Sequence, residues 1–174
     1  MFREYTMKKI TTAGLLSVLT VFVFVLSAQA SELRVIDGDT IVLDGERHRL
    51  VGYDTPEIKQ TCKNSDMNKE VWPAGRLAKE RLIELIGDKE VTCVSDKKDR
   101  YGRHLSTCYV DGVDLNEIMV KEGWGFVSPR YEQTYIEIQI QAKEQNIGVW
   151  KHNCEYPWDF RHLKKRFNEK AKAQ

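Results

Sequence analysis

Two carboxylates one residue apart close the first apolar run of interest, Val35-Ile36-Asp37-Gly38-Asp39-Thr40. A second stretch, Arg49-Leu50-Val51-Gly52-Tyr53-Asp54-Thr55-Pro56-Glu57, opens on an arginine and delivers two more carboxylates and a threonine. These side chains and their loop carbonyls offer a metal only oxygen. A cation held here is therefore hard, Ca²⁺ or Mg²⁺ rather than zinc or copper. Carboxylates for a cation, a guanidinium beside them and a spare carboxylate for water suit phosphoryl transfer, because cation and guanidinium both take up developing charge. Farther on, Asp99-Arg100-Tyr101-Gly102-Arg103 adds two arginines and an aromatic ring. A lone Asp-Gly-Asp is usually just a turn, so the weight rests on the three stretches together.

The surrounding pattern says what must hold them. Leu33 to Asp44 reads as a strand interrupted by the acidic turn, and Asp44-Gly45 signals a two-residue hairpin before a return strand from about Arg47 to Tyr53. Lys59 to Glu70 is polar and aperiodic, a mobile loop by pattern. Pro73 suits a first helical turn, followed by Leu77, Ala78, Leu82, Leu85 and Ile86 on one face and a stop at Gly87. On this helix Lys79, Glu80 and Arg81 read as a solvated face. Glu90 to Ser95 and His104 to Val110 read as strands, and Asp114-x-x-Glu117 as a capping box for a helix ending near Gly123. A last clear helix runs from about Gln133 to Asn146. Trp124 and Trp150 read as core aromatics, and His48, His104, His152 and His162 as scattered surface residues. This mixture supports an α+β domain.

The ends differ in composition. Lys8 and Lys9 precede an apolar run from Ala13 to Leu26, and Ala28-Gln29-Ala30 fits a small-x-small cleavage rule. The run is about fourteen residues, short of the roughly 20 a membrane span needs. Residues 1–30 are therefore expected to be a cleaved signal peptide, with the protein periplasmic or secreted and without a membrane anchor. The remainder carries 24 basic and 25 acidic side chains, a formal charge of about −1. Any contact with nucleic acid must then come from local basic residues, not from a global field. All four cysteines, Cys62, Cys93, Cys108 and Cys154, lie after residue 30. In an oxidising compartment they imply two disulfides, with three possible connectivities. Residues 151–174 form a basic tail, in which Pro157-Trp158-Asp159-Phe160-Arg161 could pack back on the domain and the Lys-rich end reads as a frayed helix, a solvated tail in preference to a nucleic-acid contact.

In combination and order, Asp37-Gly38-Asp39-Thr40, Arg49-x4-Asp54-Thr55-Pro56-Glu57 and Asp99-x-Tyr101-Gly102-Arg103 resemble the staphylococcal nuclease (thermonuclease) family, over roughly Leu33 to Trp150. The resemblance implies an OB-fold over residues 31–150, a five-stranded β-barrel with about three helices, and a groove that binds nucleic acid. The first strand is shorter here than the family's. Where many members carry Glu in the last helix, this chain has Gln139, so a neutral contact is expected in place of an ion pair. The family's strand pairing also implies a Cys93–Cys108 disulfide, leaving Cys62 and Cys154 as a second pair or two thiols.

The resemblance further implies a division of labour. Asp39 and Asp54 would bind Ca²⁺ with the Thr55 carbonyl, whose direction Pro56 helps fix, while Asp37 would orient the turn from behind them. Glu57 would take a proton from the attacking water. Arg49 and Arg103 would bracket the phosphate with planar two-pronged donors, and Arg100 and Tyr101 would hold flanking substrate. The expected activity is Ca²⁺-dependent hydrolysis of DNA and RNA with low sequence specificity, leaving 3′-phosphates, by a monomer without a stable protein partner. The competing readings are a non-catalytic OB module that binds nucleic acid and a phosphodiesterase for another substrate. A pure binder has no need of Asp39, Asp54, Glu57, Arg49 and Arg103 together.

Overall fold

A computed structural model of the chain describes residues 32–63, 71–129 and 133–172. The proposed signal peptide lies outside them, as do residues 64–70 of the polar loop and Arg130-Tyr131. Eight strands and four helices follow in order. They are β1 (Leu33–Asp37), β2 (Thr40–Leu43), β3 (Glu46–Leu50), β4 (Cys62–Lys63), β5 (Val71–Trp72), α1 (Ala74–Ile86), β6 (Val91–Lys98), β7 (His104–Val110), β8 (Val113–Asp114), α2 (Leu115–Lys121), α3 (Ile136–Glu144) and α4 (Pro157–Lys172). The architecture is α+β and OB-fold-like. Five strands form one sheet in the order β1-β2-β3-β7-β6, with β8 added to β7.

Local chemistry explains most of the joints. Asp44-Gly45 and Asp111-Gly112 both take positive φ at their two turn positions, which returns the chain on itself with the sheet's own twist. The Asp114 carboxylate accepts from the Asn116 and Glu117 N–H groups, so the expected cap opens α2. α1 starts after Pro73 and stops at Gly87. α3 begins at Ile136, later than the pattern from Gln133 suggests, with buried Tyr135 at its N-cap.

One non-local pairing sets the whole arrangement. β3 and β7 run parallel, with His48 opposite His104 and Arg49 opposite Leu105. Fully buried Asn116 locks this junction. Its Nδ2 donates to the Val51 and Ser106 carbonyls at 2.9 and 3.1 Å, and its Oδ1 accepts from the Cys108 N–H at 3.1 Å. A buried amide with all these bonds made is a stabilising clamp; deprived of them it would be costly. Beneath the sheet, Ile41, Leu50, Ala78, Leu82, Ile86, Met119 and Val120 form the core against α1 and α2.

Several expectations need correction. His152 is buried and stacks on Trp72 at 4.3 Å, because the chain after α3 folds back over β5. His48 and His104 are not scattered either; the parallel register stacks their rings at 5.0 Å. Arg81 is only partly solvated, since its guanidinium grips Glu122 at 2.6 and 2.7 Å and so ties α1 to the end of α2. The segment after Lys59 opens with Gln60, which is 1% exposed and bonded on both sides, so this part is anchored. Both disulfides are present, Cys93–Cys108 and Cys62–Cys154. Gln139 makes the expected neutral contact, accepting from the Val127 N–H at 2.6 Å.

Candidate active site

Asp37, Asp39, Arg49, Asp54, Thr55, Glu57, Arg100, Tyr101 and Arg103, dispersed over 67 positions of sequence, line a single cavity of about 350 Å³ together with Pro56 and Arg161. Every residue singled out for chemistry from the sequence therefore reaches one place. The cavity sits where the β1–β2 turn, the loop after β3 and the β6–β7 turn meet.

The acidic half is built by a bulge. The β1–β2 ladder slips between Val35 and Asp37, which bends the strand end and re-aims its side chains. The Asp37 carboxylate then accepts from the Asp39 N–H at 3.2 Å, fixing the turn from behind. Asp39, 5% exposed, accepts from the Thr55 N–H at 2.9 Å and from the Thr55 hydroxyl at 3.1 Å. Asp54, 3% exposed, is held by its backbone, which exchanges two 2.8 Å hydrogen bonds with Phe126. Arg49 lies between the two carboxylates. Its Nη1 pairs with Asp39 and its Nη2 with Asp54 at 3.0 Å and the Tyr53 carbonyl at 3.3 Å.

Burial and charge set the protonation of this group. Burial pushes the Asp37 carboxyl up to about 7, with the Asp39 charge adding to the effect. Burial would raise Asp39 too, but Arg49 and the Thr55 N–H outweigh it and hold that carboxyl below the usual range. Burial raises Asp54, and bonding from Arg161 offsets only part of this. Arg49 is raised still further into permanent charge by Asp39 and Asp54, against its own burial. Asp39 is thus the more readily ionised member of the Asp37–Asp39 pair.

Glu57 is positioned by its backbone. Its N–H donates to the Gln60 Oε1 at 3.1 Å, and its carbonyl accepts from the Gln60 N–H at 2.6 Å. The start of α1 presses on the same carbonyl: a Cβ added to Gly75 would lie 1.8 Å from the Glu57 oxygen. Only glycine allows that approach. The Gln60 Nε2 reaches the Glu155 carbonyl at 2.7 Å, and Cys62 is bonded to Cys154. The Glu57 segment and the root of α4 are therefore one unit.

On the opposite rim, Arg103 is held by Asp99 rather than projecting freely. Its Nε and Nη2 lie 2.8 and 2.7 Å from the Asp99 carboxylate, which also accepts from the Arg103 N–H at 3.0 Å. Asp99 fixes this guanidinium's direction; its spacing four residues before Arg103 is the signal that could have marked it. Arg100 donates to the Tyr101 hydroxyl at 2.6 Å and lies over its ring, which is 68% exposed.

Arg161 is the residue sequence reasoning missed. It comes from α4, 107 positions after Asp54, and lies 2.5 Å from the Asp54 Oδ2 and 2.7 Å from the Glu57 Oε1. Nothing local in a Lys-rich tail distinguishes it. Among the described residues, His48, Cys93 and Cys108 bring three ligand-type atoms closest together, but both cysteines are spent in the disulfide. Asp39 and Asp54 are the donors that fit a hard cation, two buried carboxylates facing one cavity, although Arg49 and Arg161 are paired with them here.

Comparisons with known proteins bear on the same region. A family model described as staphylococcal nuclease homologue matches residues 47–152. The chain is 35% identical to a protein of Escherichia coli O157:H7 described as an uncharacterized endonuclease, over 76% of this chain and 84% of that one. It is also 35% identical to Endonuclease YncB of Bacillus subtilis, over 67% of this chain and 59% of that one. Staphylococcal-like nuclease CAN1 of Arabidopsis thaliana is 29% identical over 70% of this chain and 35% of its own length.

Proposed function

The chain belongs to the staphylococcal nuclease family, and from that premise we propose that it is an exported, Ca²⁺-dependent nuclease hydrolysing phosphodiester bonds of DNA and RNA with low sequence specificity. The observation that carries this reading is the shared cavity, which gathers two buried carboxylates, a half-exposed glutamate and the guanidinium groups of Arg49 and Arg103.

Asp39 and Asp54, with the Thr55 carbonyl, would hold the Ca²⁺, which when bound supplies a Lewis acid for the phosphate oxygens. Asp37 steadies the turn that carries Asp39. Glu57 accepts a proton from the attacking water, a role that suits a carboxylate fixed by its backbone yet 41% exposed. Arg49 and Arg103 stabilise charge growing on the phosphate. Both are held by carboxylates, so little ordering remains to be done when substrate arrives. Arg100 and the exposed Tyr101 ring bind the flanking phosphate and base. Cleavage as a signal peptide at Ala30 fits two disulfides, which persist outside the reducing cytosol.

Digestion of single- and double-stranded DNA and RNA with Ca²⁺, Mg²⁺ or chelator, followed by end-group analysis, tests the proposal. Cleavage of both nucleic acids with Ca²⁺, none with chelator, and 3′-phosphate ends are expected. Binding without cleavage under every condition would leave the non-catalytic module instead.

A further inference from the structure

α4 carries six basic side chains against two acidic ones, a net +4, in a chain whose total is only +1. The positive charge of this protein is thus concentrated on one helix. Arg161, Lys164, Lys165, Asn168 and Lys172 recur at helical spacing of three and four, and with Glu57 they line a second cavity of about 380 Å³, where Glu169, 3.9 Å from Lys165, is the one acid that α4 itself contributes. Glu57 and Arg161 belong to both cavities, so the basic face continues directly from the active site. From Arg161 to Lys172 the helix rises about 16 Å, enough for several phosphates of one strand.

The placement is built in. Cys154, three residues before α4, is bonded to Cys62, and Gln60 binds both Glu57 and the Glu155 carbonyl. Tyr156 and Trp158 stack at 4.7 Å and meet Phe126, the residue whose backbone holds Asp54. The root of the helix is therefore registered on the same backbone that sets Asp54 and Glu57.

We propose that α4 is a substrate arm: its basic face tracks the sugar–phosphate backbone of a single-stranded nucleic acid beyond the scissile bond. This rests on the nuclease reading for its substrate. A groove of positive charge beside exposed aromatic rings is how proteins hold single strands without reading sequence. Tyr101, 68% exposed and lining the adjoining cavity, supplies such a ring. A lipid surface is the rival occupant, since Leu163 and Phe167 are exposed. It fits less well, because the lysine face borders Glu57 of the active site.

Fluorescence anisotropy with a labelled 12-nucleotide single strand, in chelator and over 50–200 mM salt, tests the arm. Each phosphate contact contributes about −0.7 to the slope of log K against log salt. Lys164→Ala/Lys165→Ala/Lys172→Ala should make that slope shallower by about 2, so the same salt step weakens the variant about 20-fold less than wild type. Arg76→Ala/Lys89→Ala/Lys121→Ala, equal in charge and outside α4, should keep the steeper slope. Equal loss in both variants would reduce the effect to net charge and overturn the proposal. Loss of binding to phosphatidylglycerol vesicles with an unchanged oligonucleotide slope would assign the face to a membrane and likewise overturn it. Cleavage of the same 12-nucleotide strand by the wild type with Ca²⁺ is read separately. Cleavage with a slope unmoved by the α4 variant refutes the arm alone, whereas a steep, α4-dependent slope without cleavage supports the arm and refutes the nuclease reading.

Discussion

On the proposed reading, Arg161 and a Ca²⁺ held by Asp54 would compete for the same carboxylate, and the size of that competition follows from the contacts. The guanidinium makes bonds of 2.5 and 3.2 Å to Asp54 and one of 2.7 Å to Glu57. The Asp54 side chain is 4% exposed, so its bonds resemble hydrogen bonds to a buried charge, worth about 1.5–3 kcal/mol. Arg161 itself is 45% exposed, and the Glu57 pair resembles a surface ion pair worth about 0–1 kcal/mol. Discounted for solvent, the interaction contributes about 1–2 kcal/mol. Arg161→Ala should therefore destabilise the metal-free protein by that amount, roughly 3–8 °C in Tm for a domain of this size. The same mutation spares the cation the work of displacing a guanidinium, so Ca²⁺ affinity should rise about 5- to 30-fold. Linkage ties the two effects together: with saturating Ca²⁺ the stabilities of wild type and variant converge. Calorimetric titration with Ca²⁺ in the absence of nucleic acid gives the affinity, and urea unfolding with chelator or Ca²⁺ gives the stabilities. A variant less stable without metal yet unchanged in Ca²⁺ affinity would refute the competition, because Arg161 would then be a structural residue only.

Gly75→Ala should be destabilising by about 1–3 kcal/mol, although alanine is ordinarily the better helix residue by about 1 kcal/mol, because the new Cβ meets the Glu57 carbonyl. Thermal unfolding with unchanged or raised Tm would contradict the close approach. In chelator, Asp37 keeps its proton in the folded state up to about pH 7, while the unfolded chain loses it near pH 4. The folded state binds more protons in that window, so Asp37 lowers stability as pH rises from about 4 to 7. Asp37→Asn should remove that decline, and unfolding curves for the two proteins that stay parallel across the window would refute it. Glu57→Gln should lower kcat by about 10²–10⁴-fold without weakening substrate binding. Arg103→Lys should lower kcat strongly with a modest change in KM, since one charge remains but the fork is lost. A rise in KM alone for either variant would make that residue a uniform binder.

The sequence by itself determined whatever depends on near neighbours. The Asp44-Gly45 turn, the Asp114 cap, the bounds of α1 and the oxygen-only character of Asp37-Gly38-Asp39 and Asp54-Thr55-Pro56-Glu57 are written in spacings of two to four residues. Motif order extends this legibility to the site, because Asp39, Arg49, Asp54, Glu57 and Arg103 stand out by residue type and spacing alone. Tertiary structure alone decided what spans the chain. The parallel register of β3 with β7 stacked His48 on His104, and the fold of the chain over β5 buried His152. Arg161 meets Asp54 across 107 positions, Gln60 meets Glu155 across 95, and Cys62 meets Cys154 across 92. Such contacts carry no local signature: an arginine in a basic tail looks the same whether it faces water or a buried aspartate. The packing of Tyr156 and Trp158 on Phe126, the Gln60–Glu155 hydrogen bond and the disulfide hold that arginine over Asp54 and Glu57.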